Sequence, residues 1–222
     1  GTGKEYIRVC SVGCVSSVIE CASIFKDTHK NCEFQFEFGM DNLENIDMKN
    51  YDIAIYPEES KFANLAGHKI ATEKYFLAVA KGHPLADKAV MSPKYLENQD
   101  IIYVRSNGTP EYIYHICKAL GVKFNTMTYT DTRQSQLMYI STGKAVGIIP
   151  EGLIDAVNKD KIVLIPFMNK NFTRNMMICF RKEKYLSKIA FCLAVAFLMY
   201  SAFAALKLLY AVLYSGVLAK PS

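Results

Sequence analysis

Residues 74–96 read KYFLAVAKGHPLADKAVMSPKYL, and the way this stretch is punctuated decides the fold. The apolar run at 74–81 has the length and composition of a strand, yet it lacks the Asn-Gly or Asp-Gly pair that would close a tight hairpin. It runs instead into Gly82-His83-Pro84-Leu85-Ala86, after which Ser92-Pro93 opens a short helix with proline at its first position. A strand that neither turns back nor feeds a neighbouring strand is leaving one region of the chain for another.

The same kind of pattern extends on both sides. Strands are expected at about 6–12, 34–38, 51–56, 74–81, 101–105, 126–130, 145–150, 163–167 and 174–182, with helices over 16–26, 110–120, 133–142 and 151–157. Runs such as Ile101-Ile102-Tyr103-Val104 suit strands buried on both faces, and their alternation with short helices points to βαβ units and a largely parallel sheet. Gly121 and Gly143 stand where helices should stop. The segment 174–182 is a second long strand without a tight turn. The chain is therefore expected to build one α/β lobe, cross along 74–81, build another, and return along 174–182. Two lobes joined in this way enclose a cleft, and α/β folds bind ligands outside strand carboxyl ends.

Composition narrows the function. The chain has 222 residues, 51% of them hydrophobic, and a net charge of +5 spread without blocks, so no nucleic-acid-binding stripe is indicated. The seven cysteines are odd in number and include no Cys-x-x-Cys pair, and with four histidines they offer no zinc spacing. His115 and Cys117, two apart on a helix, face different directions. No metal and no cofactor is expected. Nor does a catalytic constellation emerge: there is no Gly-x-Ser-x-Gly elbow and no phosphate-binding loop, and Gly1-x-Gly3 lacks the rest of a dinucleotide fingerprint. Reduced thiols and an N-terminus unlike a signal peptide fit a cytoplasmic protein.

Taken in order, several motifs carry a family resemblance. They are Tyr51-Asp52-Ile53-Ala54-Ile55, the strand at 75–81 with its His83-Pro84-Leu85-Ala86 turn, Ser92-Pro93-Lys94-Tyr95-Leu96, Ile101-Ile102-Tyr103-Val104, Gly121-Val122, and Ile140-Ser141-Thr142-Gly143 leading to Gly147-Ile148-Ile149-Pro150. Over about residues 5 to 200, the ordered set resembles the effector-binding domain of LysR-type transcriptional regulators. The resemblance implies an α/β, two-lobe, type 2 periplasmic-binding-protein-like fold with two crossing strands. It implies residues 1–79 as the first part of lobe I, 80–172 as lobe II, 173–200 as the return to lobe I and 201–222 as an apolar tail. It also implies a small-molecule effector, polar or anionic, and pairing into a homodimer or tetramer. DNA would be reached only through a winged helix-turn-helix domain that this chain lacks.

Within such a fold the ligand candidates are loops that follow strands, where helix N-termini offer free N–H groups. Ser11, Gly13, Cys14 and Ser16 follow the first strand, with Ser16 either capping a helix or contacting ligand. Gly39 follows the second strand, with Asp41 as a cap. Ser106 and Asn107 precede Thr109-Pro110, which reads as a helix N-cap followed by proline. Thr132 and Arg133 remain available beside Asp131 and Gln134, which read as a capping box. Cys10 and Cys14 raise a redox-sensor reading that needs lowered thiol pKa values.

The run 189–206, IAFCLAVAFLMYSAFAAL, carries no charge and belongs to a helix expected over 187–215. Burial in a subunit contact is preferred for it over membrane insertion, because Lys207 interrupts the apolar run. Two competing readings use the same scaffold: a membrane-attached solute-binding protein, and a dehydratase-like enzyme with Asp41 or Asp131 as its acid.

Overall fold

The structure, a computed structural model, describes residues 4–38, 50–58, 67–106, 109–110, 112–168 and 170–180. Two parallel sets of strands are joined by antiparallel ones. In the first set, β1 (Glu5–Ser11) pairs in parallel with β2 (Cys32–Phe38) and with β3 (Ile53–Pro57). In the second, β5 (Asp100–Ser106) pairs in parallel with β7 (Thr126–Thr130), and a parallel bridge from Ile101 to Val146 ties it to the start of β8 (Gly147–Pro150).

β4 (His68–Ala80) belongs to both lobes. Its first half pairs antiparallel with β10 (Thr173–Phe180), which pairs antiparallel with β3 in turn. Its second half lies between β8 and β9 (Ile162–Pro166), antiparallel to each. The strand expected at 74–81 therefore begins six residues earlier than its apolar run. Its polar start is held by β10: Thr72 donates to Asn175 Oδ1 at 3.1 Å, and Glu73 is paired with Arg174. The sheet is mixed rather than largely parallel, because both crossing strands run against their neighbours.

Helical periodicity seats three helices on these strands. α1 (Val15–Thr28) buries Val18, Cys21, Ala22 and Phe25, one face at 3.6-residue spacing, and packs on Ile7, Val9, Ile53, Ile55, Met176 and Ile178. α2 (Tyr112–Ala119) buries Ile113, Tyr114 and Cys117 in the second lobe's core with Leu77, Val79 and Phe172. α3 (Arg133–Ser141) buries Gln136, Leu137 and Ile140. Gly121 and Gly143 close α2 and α3 at φ of 78° and 75°, the left-handed conformation that suits glycine.

Three local expectations change. Thr109 and Pro110 do not open a helix. They form β6 (Thr109–Pro110), which turns back antiparallel on β5, and α2 starts at Tyr112. The cap of α3 is Thr132, whose hydroxyl accepts the Ser135 N–H at 3.1 Å, one position beyond the Asp131 box; Asp131 instead lies 3.7 Å from Arg105 Nε. Residues 151–156 make a 3-10 turn, Glu151–Ala156. Gly39, Asp41, Asn107 and the apolar tail lie outside the described residues. No helix among those described is long and apolar enough to cross a membrane.

The turn at 82–86 is structural. His83 N–H donates to Ala80 O at 2.9 Å, Ala86 N–H to His83 O at 2.8 Å, and Leu85 N–H to His83 Nδ1 at 3.2 Å, while Leu85 and Ala86 pack on the second core. The Leu85 bond needs an unprotonated Nδ1, and burial holds the His83 pKa below its ordinary 6.5, against a smaller opposing hydrogen bond with Gln99. With the folded value lower, the unfolded chain takes up the proton first. This contribution to stability is complete above about 6.5 and is lost as pH falls through the unfolded and then the folded value. Urea midpoints measured between about pH 7.5 and 5 should fall, and His83→Asn should flatten part of that slope. An unaltered slope in the variant would remove His83 from the account.

Candidate functional site

Strand direction alone makes a cleft. β1, β2, β3 and β4 run one way, since β4 and β3 are both antiparallel to β10. β5, β7 and β8 run the other way, because β8 is antiparallel to β4. As β4 leaves the first lobe for the second, the carboxyl ends of both parallel sets point at the boundary. There the β1–α1 turn and the β2 and β3 ends face the β5 end, the β7–α3 turn and the β8 end. α1 and α3 both begin at this boundary, so their free N–H groups lie at it.

On the first wall the expected residues are brought together, but most are engaged by the protein itself. Ser11 is fully buried, and its hydroxyl donates to Gly13 O within the turn. Gly13 is pressed against the seam: a Cβ there would lie 2.9 Å from Met176 Cε and 3.0 Å from Arg174 Nη2. Cys14 is the N-cap of α1 at φ 53°, ψ 30°, without a side-chain cap. Its thiol donates to Glu73 Oε1 at 3.3 Å. Ser16 does not cap; its exposed hydroxyl donates to Asp155 Oδ2 at 3.1 Å, across to the turn that follows β8.

On the second wall Thr132 is the α3 cap and also donates to Ser135 Oγ at 2.9 Å. Arg133 is half-buried, and its Nη1 donates to Gln136 Oε1 at 3.0 Å. Gln136 is fully buried and passes the interaction on, donating Nε2 to Ile102 O at 2.9 Å. Ile102 O also accepts from Tyr114 Oη at 3.4 Å, and Tyr114 Oη accepts the Ile148 N–H at 3.3 Å. Past the Ile101–Val146 bridge, β5 and β8 thus separate and are held by side chains. Such a parting of parallel strands is where α/β sheets open a ligand crevice. Ser106 ends β5, paired with Thr109.

The residues missed by pattern reading lie in the seam between the walls. Glu73 and Arg174 face each other on β4 and β10, with Arg174 Nη2 and Nε at 2.7 and 2.8 Å from Glu73 Oε2 and both side chains nearly inaccessible. Arg174 Cζ also lies 5.7 Å from the Tyr75 ring centroid. The signal was present: each is a charged residue within a segment identified as crossing, or adjoining it.

The thiols are poor redox groups. Burial, reinforced by Glu37, pushes Cys10 up to about 12, and burial reinforced by Glu73 pushes Cys14 well above the usual thiol range. Oxidation proceeds through the thiolate, which both sites suppress. Cys117 is fully buried while His115 is exposed, so the pair does not converge. No group of three or more metal-ligating side chains is gathered among the described residues. The Asp131 of the enzyme reading is exposed and lies against Arg105, whose guanidinium is 3.9 Å from the Tyr129 ring centroid.

The model of the LysR substrate binding domain matches residues 7–198. A curated relative, an uncharacterized HTH-type transcriptional regulator, YwbI, of Bacillus subtilis (strain 168), is 22% identical over 170 residues, 73% of this chain and 55% of its own. The chain thus spans about half the length of that relative. The regulatory domain of CcmR from Synechocystis PCC6803, in complex with 2-PG, superposes with a TM-score of 0.76 at 14% identity, covering 89% of this chain and 97% of that one. The effector binding domain of QuiR, in complex with shikimate, gives 0.75 at 17% identity, covering 90% and 98%. At these identities the likeness is one of fold: two lobes, with the periplasmic-binding-protein-like arrangement.

Proposed function

This chain belongs to the LysR substrate-binding domain family, and from that premise we propose that it senses a small polar or anionic metabolite held between the opposed carboxyl ends of its two strand sets. The observation that supports the cleft as the ligand's place is the antiparallel relation of β8 to β4, which turns both walls toward one boundary. Residues 1–79 and 173–200 form the first lobe in this reading, 80–172 the second, and 201–222 a tail that joins a subunit contact.

Charge favours an anionic group of the ligand toward α3 rather than α1. The start of α1 already meets Asp155 through Ser16 and lies in the field of Glu151, which acts on Cys14, whereas the start of α3 carries Arg133. A guanidinium engages a carboxylate with two parallel bonds. The chain is a sensor rather than an enzyme in this reading: no catalytic residue is assigned, and binding shifts the relative position of the lobes. In a longer regulator that shift reaches DNA through a winged helix-turn-helix domain, in the cytoplasm. Pairing as a homodimer or tetramer accords with the exposed apolar side chains Ile19, Ile24, Met127, Tyr129 and Met138, and sedimentation equilibrium of the chain reads it directly.

The test is a thermal-shift screen against small organic acids, shikimate among them, amino acids and sugars. At about 100-fold excess over Kd, one class should raise Tm by roughly 5–10 °C. Arg133→Ala should remove most of that rise. No shift with any compound, from a folded and monodisperse sample, would sink the proposal.

A further inference from the structure

We propose that the 3-10 turn Glu151–Ala156 is a latch between the lobes, holding the α1 side of the cleft closed before any ligand arrives. Three contacts make it. Ser16 donates to Asp155 Oδ2 at 3.1 Å. The Lys74 N–H, on the crossing strand, donates to Glu151 Oε2 at 3.0 Å. Gly152 approaches so closely that a Cβ would lie 2.5 Å from Glu73 Oε1 and 3.0 Å from Cys14 N. Its φ lies outside the left-handed range, so the backbone does not require glycine there; the close approach does.

The turn is built to detach. None of its six residues is buried, in contrast to β8 before it, where all four are, and Val157 after it, 6% exposed in a core cluster. The turn is therefore fastened at both ends, and between them it touches the first lobe across the boundary. What it touches is the strained point of the first lobe. Cys14 is one of two described non-glycine residues at positive φ, and its thiol is bonded to the buried Glu73. A latch formed in the free protein sets the fraction of molecules open to ligand, and apparent affinity scales with that fraction. This goes beyond effector sensing, and its test needs no effector.

Half-buried Cys14, whose backbone N–H side Gly152 covers, reports latch opening, so the experiment is alkylation of the full 222-residue chain by iodoacetamide, located by peptide mass mapping. Ser16→Ala changes no charge and removes only an exposed hydroxyl; it should speed Cys14 modification about three- to tenfold, the factor expected for one lost hydrogen bond. Asp155→Ala should give a similar factor, and the double variant no more than the larger single effect, since both delete one contact. Gly152→Ala should act in the same direction. Cys10, Cys21, Cys32, Cys117 and Cys179 are buried and should stay unmodified in the Ser16 and Asp155 variants, which certifies the fold. Unchanged Cys14 rates in both single variants, or factors that multiply in the double, would overturn the latch.

Discussion

Arg174→Ala should destabilise the protein by about 3–5 kcal/mol, because it strands the Glu73 carboxylate in a seam where Arg174 is its only ion-pair partner among the described residues. The two side chains are 6% and 7% exposed and are joined through Arg174 Nη2 and Nε to one carboxylate oxygen, the other oxygen accepting the Cys14 thiol. What is lost on truncation is mostly the compensation of a buried charge, and only in part the attraction itself. The double replacement Glu73→Leu with Arg174→Met should therefore recover most of the loss, or exceed the parent in stability, since a well-packed apolar pair needs no compensation. Urea unfolding followed by far-ultraviolet circular dichroism separates these outcomes. A loss below about 1 kcal/mol for Arg174→Ala would mean that water reaches Glu73 in the variant and that the seam is not dry.

Why this pair escaped pattern reading follows from what patterns measure. Apolar periodicity locates elements that bury one face, and it places all of the longer described strands except β4 within about two residues of their bounds. It starts β4 at Lys74 because Thr72 and Glu73 interrupt the apolar run, although pairing to β10 extends the strand to His68. A cross-strand partner a hundred residues away has no local signature. Capping shows the same limit at shorter range. Asp131 and Thr132 are equally good N-caps by composition, and only the position of the α3 axis gives the Ser135 N–H to Thr132. Thr109-Pro110 is as suited to a helix start as to an edge strand, and pairing with Arg105 and Ser106 decides for the strand. Of the candidate ligand residues, the positions at strand ends were legible and the engagements were not. Ser11 and Ser16 look alike in sequence, one being closed into its own turn and the other reaching to Asp155. The notion of two lobes was legible for a different reason, since a long strand without a tight-hairpin pair at its end has few other destinations.

Phe172→Ala tests whether those lobes are energetically one unit. Phe172 is 1% exposed, stacks on Phe167 with ring centroids 4.1 Å apart, and sits in the second lobe's core beside Leu77, Ile148 and Ile165. Its carbonyl accepts the Tyr75 N–H at 2.9 Å, so its backbone belongs to the crossing while its side chain belongs to the core. Truncation should remove about 3–5 kcal/mol through lost burial and the cavity left behind, and Phe172→Leu, which restores most of the volume, should remove less than about 1.5–2 kcal/mol. The shape of the transition matters as much as its midpoint. β4 carries hydrogen bonds into both lobes, and damage confined to the second core should propagate along it, so that Phe172→Ala unfolds in one calorimetric transition at lower temperature. Two separated transitions, the upper one near the parent's Tm, would show that the first lobe stands without the second. In that case the seam at Glu73 and Arg174 would act as a hinge between independently stable bodies, and the relative position of the lobes would be set by the hinge and the latch contacts alone.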